Sequence, residues 1–178
     1  MDAAAATDGR DPVEEAAARW AERFPGAAGF RALTSLVRGY GATVREADEA
    51  LRPHGLTLSR FEVLLMLVFS RAGALPIMRI RDLLMVHGSS VTYLVNRLQE
   101  EGMVERREDP RDRRVSLVGI TAEGRRRVEV AAGDLAAGGF GALAGLDEGR
   151  LDELSGLLRE LRRDRRPTAD RGPAPGAG

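Results

Sequence analysis

A mainly α-helical domain carrying one small β-hairpin is the fold class predicted for this chain, on three observations. Apolar residues recur at three- and four-residue spacings along most of the sequence, the period of one helix face. Between Met103 and Ile120 the pattern changes to two short β-prone runs, MVERRE and VSLVGI, joined by the polar DPRDRR. The 178 residues, 43% hydrophobic and 30% charged, match the size of one domain with a single core.

The elements follow in order. Residues 1–11 and the Pro-, Gly- and Arg-rich 164–178 lack periodicity and are expected to be disordered tails. Val13, Ala17, Trp20 and Phe24 form the stripe of a short helix that Pro25-Gly26 stops. Leu33, Val37, Tyr40, Val44, Ala47 and Leu51 form a narrow seam on a longer helix, weakened locally by Gly39 and Gly41 and ended by Pro53. Ser59-Arg60-Phe61-Glu62 fits a capping box, opening a helix whose run FEVLLMLVF is apolar on nearly every side and therefore buried. A short helix comes next, with Ile80, Leu83 and Leu84 as its inner face, and Val86-His87-Gly88 breaks it. In the helix over residues 89–101, Val91, Leu94, Val95 and Leu98 face inward. The opposite face carries Ser89, Ser90, Thr92, Tyr93, Asn96 and Arg97. The hairpin follows, with its charged tip. Thr121 starts a helix through Val128, Ala131, Ala132 and Leu135, loosened by Gly133, Gly138 and Gly139, and Asp147 caps a last one striped by Leu151, Leu154, Leu158 and Leu161.

Composition excludes several chemistries. With no cysteine there is no disulfide framework, thiolate nucleophile, thiolate metal cage or thiol redox switch. Two histidines, His54 and His87, without metal-ligand spacing predict no metal site and no cofactor. Neither paired carboxylates, a nucleophile with its base, nor a Gly-rich phosphate loop occurs at a usable spacing, so an enzyme is not expected. No apolar run reaches the roughly 20 residues of a membrane span and the N-terminus has no signal-peptide pattern, which predicts a cytoplasmic protein.

The charge balance is 27 against 27, and all 27 basic residues are arginine. Its distribution is uneven: residues 78–127 hold 11 Arg against 8 acids, an excess of 3, while 1–77 hold 9 against 10 and 128–178 hold 7 against 9. The basic centre coincides with the polar-faced helix and the hairpin. Helix, short helix, Gly turn, polar-faced helix and basic-tipped hairpin is the order of a winged helix-turn-helix, running here from 56 to 121 between helical segments 12–55 and 122–163. Ser89, Ser90, Thr92, Tyr93, Asn96 and Arg97 offer donors and acceptors for base edges and phosphates in a major groove. Arg111, Arg113 and Arg114 at the tip suit the backbone or a narrow, electronegative minor groove. The alternative for both groups is a solvated surface. Arg125, Arg126 and Arg127 divide between helix-surface ion pairing and phosphate contact, and His87 is read as a turn residue.

Residues 30–163 resemble the multiple antibiotic resistance regulator (MarR) family. Asp109, Arg111 and Arg114 match its D-x-R-x-x-R wing motif within Val104–Arg114, and Ile120-Thr121-Ala122-Glu123-Gly124 follows as its helix start. Gly55-Leu56-Thr57, Ser90-Val91-Thr92 and Asn96-Arg97-Leu98 match in the same order. The resemblance implies a homodimer whose terminal helices, 12–55 and 122–163, intertwine so that two winged domains address a pseudopalindrome in double-stranded DNA. It makes Arg111 the minor-groove residue and Asp109 an orienter of wing arginines, since a bare carboxylate repels phosphate. The function implied is a repressor of a nearby operon released by a small molecule, aromatic or anionic. Its rival is a winged-helix protein-interaction module without sequence-specific DNA binding.

Ligands of the family occupy a crevice that the resemblance lines with helix 31–52, His54, the start of the helix at 60 and the recognition helix. Trp20, Glu62 and Arg106 or Arg107 stand where urate-responsive members carry comparable residues, but Leu94 replaces their recognition-helix arginine, which argues against urate. Trp20 as a packing residue and Glu62 as a capping partner are the competing readings.

Overall fold

The computed structural model describes residues 11–84, 88–109 and 115–163. His87, Pro110, Arg111, Asp112, Arg113, Arg114 and both expected tails, apart from Asp11, lie outside the described residues. The chain forms two compact units, one through Ala142 and one from Leu143 onward.

In the first unit Pro12–Ala21 is α1. Asp11, which the sequence reading assigns to the tail, caps it: the Asp11 carboxylate accepts from the Val13 amide at 2.9 Å, and Pro12 sits where no amide hydrogen is needed. Helix α2, Ala27–Leu51, follows after Gly26, whose φ of 78° turns the chain. Val13 and Ala17 are buried, and Trp20 stacks on Phe30 of α2 with ring centroids 4.4 Å apart.

A 3-10 turn, Arg52–His54, leads to α3, Leu58–Phe69. The expected capping box at Ser59 and Glu62 is displaced: the observed cap lies two residues earlier. Thr57 is the cap, accepting from the Arg60 amide at 3.4 Å, while Asp48 of α2 accepts from the Leu58 amide at 2.6 Å. A carboxylate ten residues upstream in sequence thus replaces the local Glu62, which stays on the exposed side of α3.

Ala74–Pro76 is strand β1 and Ile77–Leu84 is α4. Ile80 of α4 is fully buried, but Leu83, expected inward, is exposed. Helix α5 spans Gly88–Glu100, β2 Val104–Glu108 and β3 Ser116–Ile120. The expected hairpin is therefore part of a three-stranded antiparallel sheet of order β1-β3-β2, with Val104 opposite Ile120 and Ala74 opposite Gly119. Helix α6 covers Ala122–Ala137 and a 3-10 turn lies at Gly141–Leu143.

One core joins these elements: Ala47 and Leu51 from α2, Phe61, Val63, Leu64 and Leu67 from α3, Val91, Val95 and Leu98 from α5, Val118 from β3, and Val128, Ala131 and Leu135 from α6. Burying the Val, Leu and Phe side chains among them contributes about 1.5–3 kcal/mol each before chain entropy is set against it. The joint between sheet and α6 is tight. The Thr121 hydroxyl donates to the Gly102 carbonyl at 2.8 Å and accepts from the Gly124 amide at 3.0 Å. A Cβ on Gly124 would lie 2.1 Å from the Met103 carbonyl oxygen, so only glycine fits this position.

The first half of α2 is different: Leu33, Leu36, Val37 and Tyr40 are exposed, Tyr40 by 71%. In the second unit α7, Glu148–Arg163, buries nothing and leaves Leu154, Leu157 and Leu161 exposed. Asp147 caps it as expected, accepting from the Arg150 amide at 2.9 Å.

Candidate nucleic-acid interface

Helix α5 is held by its apolar side. Val91, Val95 and Leu98 are buried and Leu94 half-buried, so the 3.6-residue period turns Ser90, Thr92, Tyr93, Asn96 and Arg97 outward. Tyr93 is 65% exposed. Ser89 is placed on α5 by its backbone alone. The outward face carries no carboxylate until the last turn, where Glu100 lies 2.7 Å from Arg97 and Glu101, just past the helix, 3.5 Å from it. Arg97 is thus an ion-paired surface residue as well as a predicted contact.

A second ion pair fixes the far end of the helix. Arg60 in the first turn of α3 donates to Glu101 at 2.8 Å, with side chains 18% and 26% exposed.

The hairpin stands beside α5. The Asp109 amide donates to the Val115 carbonyl at 3.0 Å, one step beyond the Glu108–Ser116 pair of the β2-β3 ladder. Arg106 of β2 donates from Nη2 to Asn96 Oδ1 at 2.6 Å, and Arg107 lies 4.0 Å from Glu105. Wing base and reading face therefore touch through Arg106 and Asn96. Sequence reasoning missed this pair, whose only signal was an arginine at an inward register position of β2.

The expected ligand residues do not converge on one cleft. His54 Nε2 lies 2.9 Å from Asp134 of α6, beside an open cleft of about 510 Å³ lined by Arg52, Pro53, His54, Gly55, Arg126, Arg127 and Val130. Neither Trp20 nor Glu62 lines it. Trp20 is occupied by Phe30, Phe24 and the Pro25 carbonyl, to which Nε1 donates at 2.9 Å. Desolvation raises the Glu62 carboxyl above its ordinary value. Arg126 and Arg127 both hydrogen-bond Glu123, which lowers the pKa of that carboxyl, and Arg125 lies 3.9 Å from Glu129. Ion pairing, one of the two readings of this arginine run, is what the geometry displays.

Among the described residues no helix is long and apolar enough to cross a membrane.

Known proteins share this arrangement. The family model described as MarR family matches residues 54–115. The HTH-type transcriptional regulator MhqR of Bacillus subtilis (strain 168) is 32% identical over 89 residues, 50% of this chain, and the chain spans only 60% of the length of MhqR. Sco5413, a MarR family transcriptional regulator from Streptomyces coelicolor, has a crystal structure with a TM-score of 0.73 and 37% identity, covering 82% of this chain and all of that one. Sco3205 from the same organism, a MarR family transcriptional regulator in complex with DNA, shares the fold with a TM-score of 0.73 at 20% identity, over 84% of this chain and 94% of that one. CouR from Rhodococcus jostii RHA1, bound to p-coumaroyl-CoA, gives a TM-score of 0.64 at 28% identity, over 80% of this chain and 94% of that one. Sequence and fold agree from the buried helix to the wing, and the chain belongs to the MarR family of transcriptional regulators.

Proposed function

We propose that this protein is a homodimeric, sequence-specific DNA-binding regulator, a repressor of a nearby operon that a small anionic ligand releases. The observation that carries the reading is the outward face of α5, whose hydroxyl and amide groups stand beside Arg106 of β2. Such groups exchange hydrogen bonds with base edges, while the wing arginines Arg111, Arg113 and Arg114 reach phosphates or a minor groove with Asp109 orienting them. Sco3205, crystallised with DNA on the same fold, supports this use of the surface.

A second copy of the chain covers the exposed apolar face of α2 and the leucines of α7. Two recognition helices then lie about 34–36 Å apart and read half-sites one turn apart. The ligand is taken by the cleft at His54, where Arg52, Arg126 and Arg127 suit a carboxylate or phosphate. CouR, bound to an acyl-CoA, supports a ligand-responsive reading. Release is a population shift: the ligand weakens operator binding only as far as it prefers the dimer whose helices are misplaced.

Fluorescence anisotropy on DNA from upstream of the gene and on shuffled DNA, over a salt series, tests the reading. Specific binding about a thousandfold or more above non-specific, with a steep salt slope, is expected. Absence of preference at every salt, together with no enriched sequence in a selection from random DNA, overturns it in favour of an interaction module.

A further inference from the structure

An amide side chain has two unlike edges: its oxygen accepts and its nitrogen donates. Free to turn, asparagine pairs bidentately with adenine, accepting from N6 and donating to N7. In this structure the exposed Asn96 is held in one sense by a bond to its oxygen edge. Arg106 Nη2 sits 2.6 Å from its Oδ1, and because guanidinium has no acceptor, a reversed amide would set donor against donor.

The strand explains why Arg106 makes this contact and Arg107 does not. Val104 is buried at the start of β2, and the two-residue period sends Arg106 off the same side, next to α5. Arg107 leaves the other side, where it meets Glu105 and lies against Gly119. Among the described residues no carboxylate draws Arg106 away from the helix, and no protein acceptor takes the Asn96 amide hydrogens. Oδ1 keeps a second lone pair, but a bidentate adenine contact needs both edges of the amide turned to the base, and the oxygen edge is turned to the wing.

We infer that Arg106 is a positioning residue for sequence readout: by holding Asn96 Oδ1 it turns the amide NH2 outward. Asn96 then selects base edges that only accept, guanine N7 and O6 foremost, over adenine. The inference rests on α5 being the reading helix. Arg106 keeps its remaining donors for a nearby phosphate, so one side chain both anchors the wing and orients the reader.

Selection from random DNA followed by sequencing, with the wild type, Arg106→Ala and Asn96→Ala, tests it. One half-site position is expected to lose its preference in Asn96→Ala. At that position the wild type favours guanine, and Arg106→Ala moves the preference about tenfold toward adenine while other positions hold. The lost charge weakens all sequences alike and does not imitate a change at one position. An adenine preference already present in the wild type, an unchanged preference in Arg106→Ala, or no position moved by Asn96→Ala overturns the inference. A wild type that enriches no sequence overturns the DNA-binding reading itself, whereas a clear wild-type motif left intact by Arg106→Ala overturns the inference alone.

Discussion

Single side chains set both the chemistry and its pH dependence. Desolvation raises the Glu62 carboxyl, and a raised folded pKa means stability that is complete below the unfolded pKa and lost as pH rises through the folded one. Glu62→Gln removes that loss. The variant is therefore expected to be more stable than wild type in urea at about pH 7 and no more stable at about pH 3, where the carboxyl is protonated folded or unfolded. A gain of equal size at both pH values would show that partial desolvation of the carboxylate is not the cause. Arg111→Ala belongs to the same scale. It is expected to weaken DNA binding on every sequence and to lower the slope of log K against log salt by about 0.9, the share of one phosphate. A slope equal to that of wild type would remove Arg111 from the interface.

At the level of elements, the joint at Thr121 and the clamp at Arg60 are the places to probe. Gly124→Ala puts a Cβ 2.1 Å from a backbone oxygen, and such overpacking is expected to cost about 3 kcal/mol, measured by chemical denaturation. Arg60→Ala removes a partly shielded ion pair and is expected to cost about 1–2 kcal/mol, with a double-mutant cycle against Glu101→Ala recovering most of it as coupling. These elements differ in how far they could be read from sequence. The α5 face, the hairpin and the Asp147 cap follow from local spacing and turn chemistry, and they stand where expected. Strand β1 did not announce itself, because Ala74-Leu75-Pro76 has too few residues to show a period and its proline reads as a break; only pairing with β3 makes it a strand. The α3 cap was misread for a related reason. Asp48 acts from ten residues away, and no local motif records a contact made by tertiary packing. Asn96 and Arg106 were each legible as polar surface residues, but not as partners.

The whole molecule presents apolar surface that a lone chain leaves in water, on α2 at Leu33, Leu36, Val37 and Tyr40 and on α7 at Leu154, Leu157 and Leu161. Val37→Glu is expected to shift sedimentation from dimer to monomer and to abolish tight operator binding while leaving the helical circular dichroism unchanged, since the position lies outside the core. A dimer that persists through this change would place the contact elsewhere. The seat of Gly124 on Met103 carries a mechanical consequence as well. With no room for a Cβ and with the Thr121 hydroxyl bonded on both sides, the elbow between sheet and α6 has no slack with which to hinge. Helix α6, 16 residues and about 24 Å long, therefore leaves the sheet in one fixed direction, which carries Val128, Ala131 and Leu135 into the same core that holds Val118 of β3.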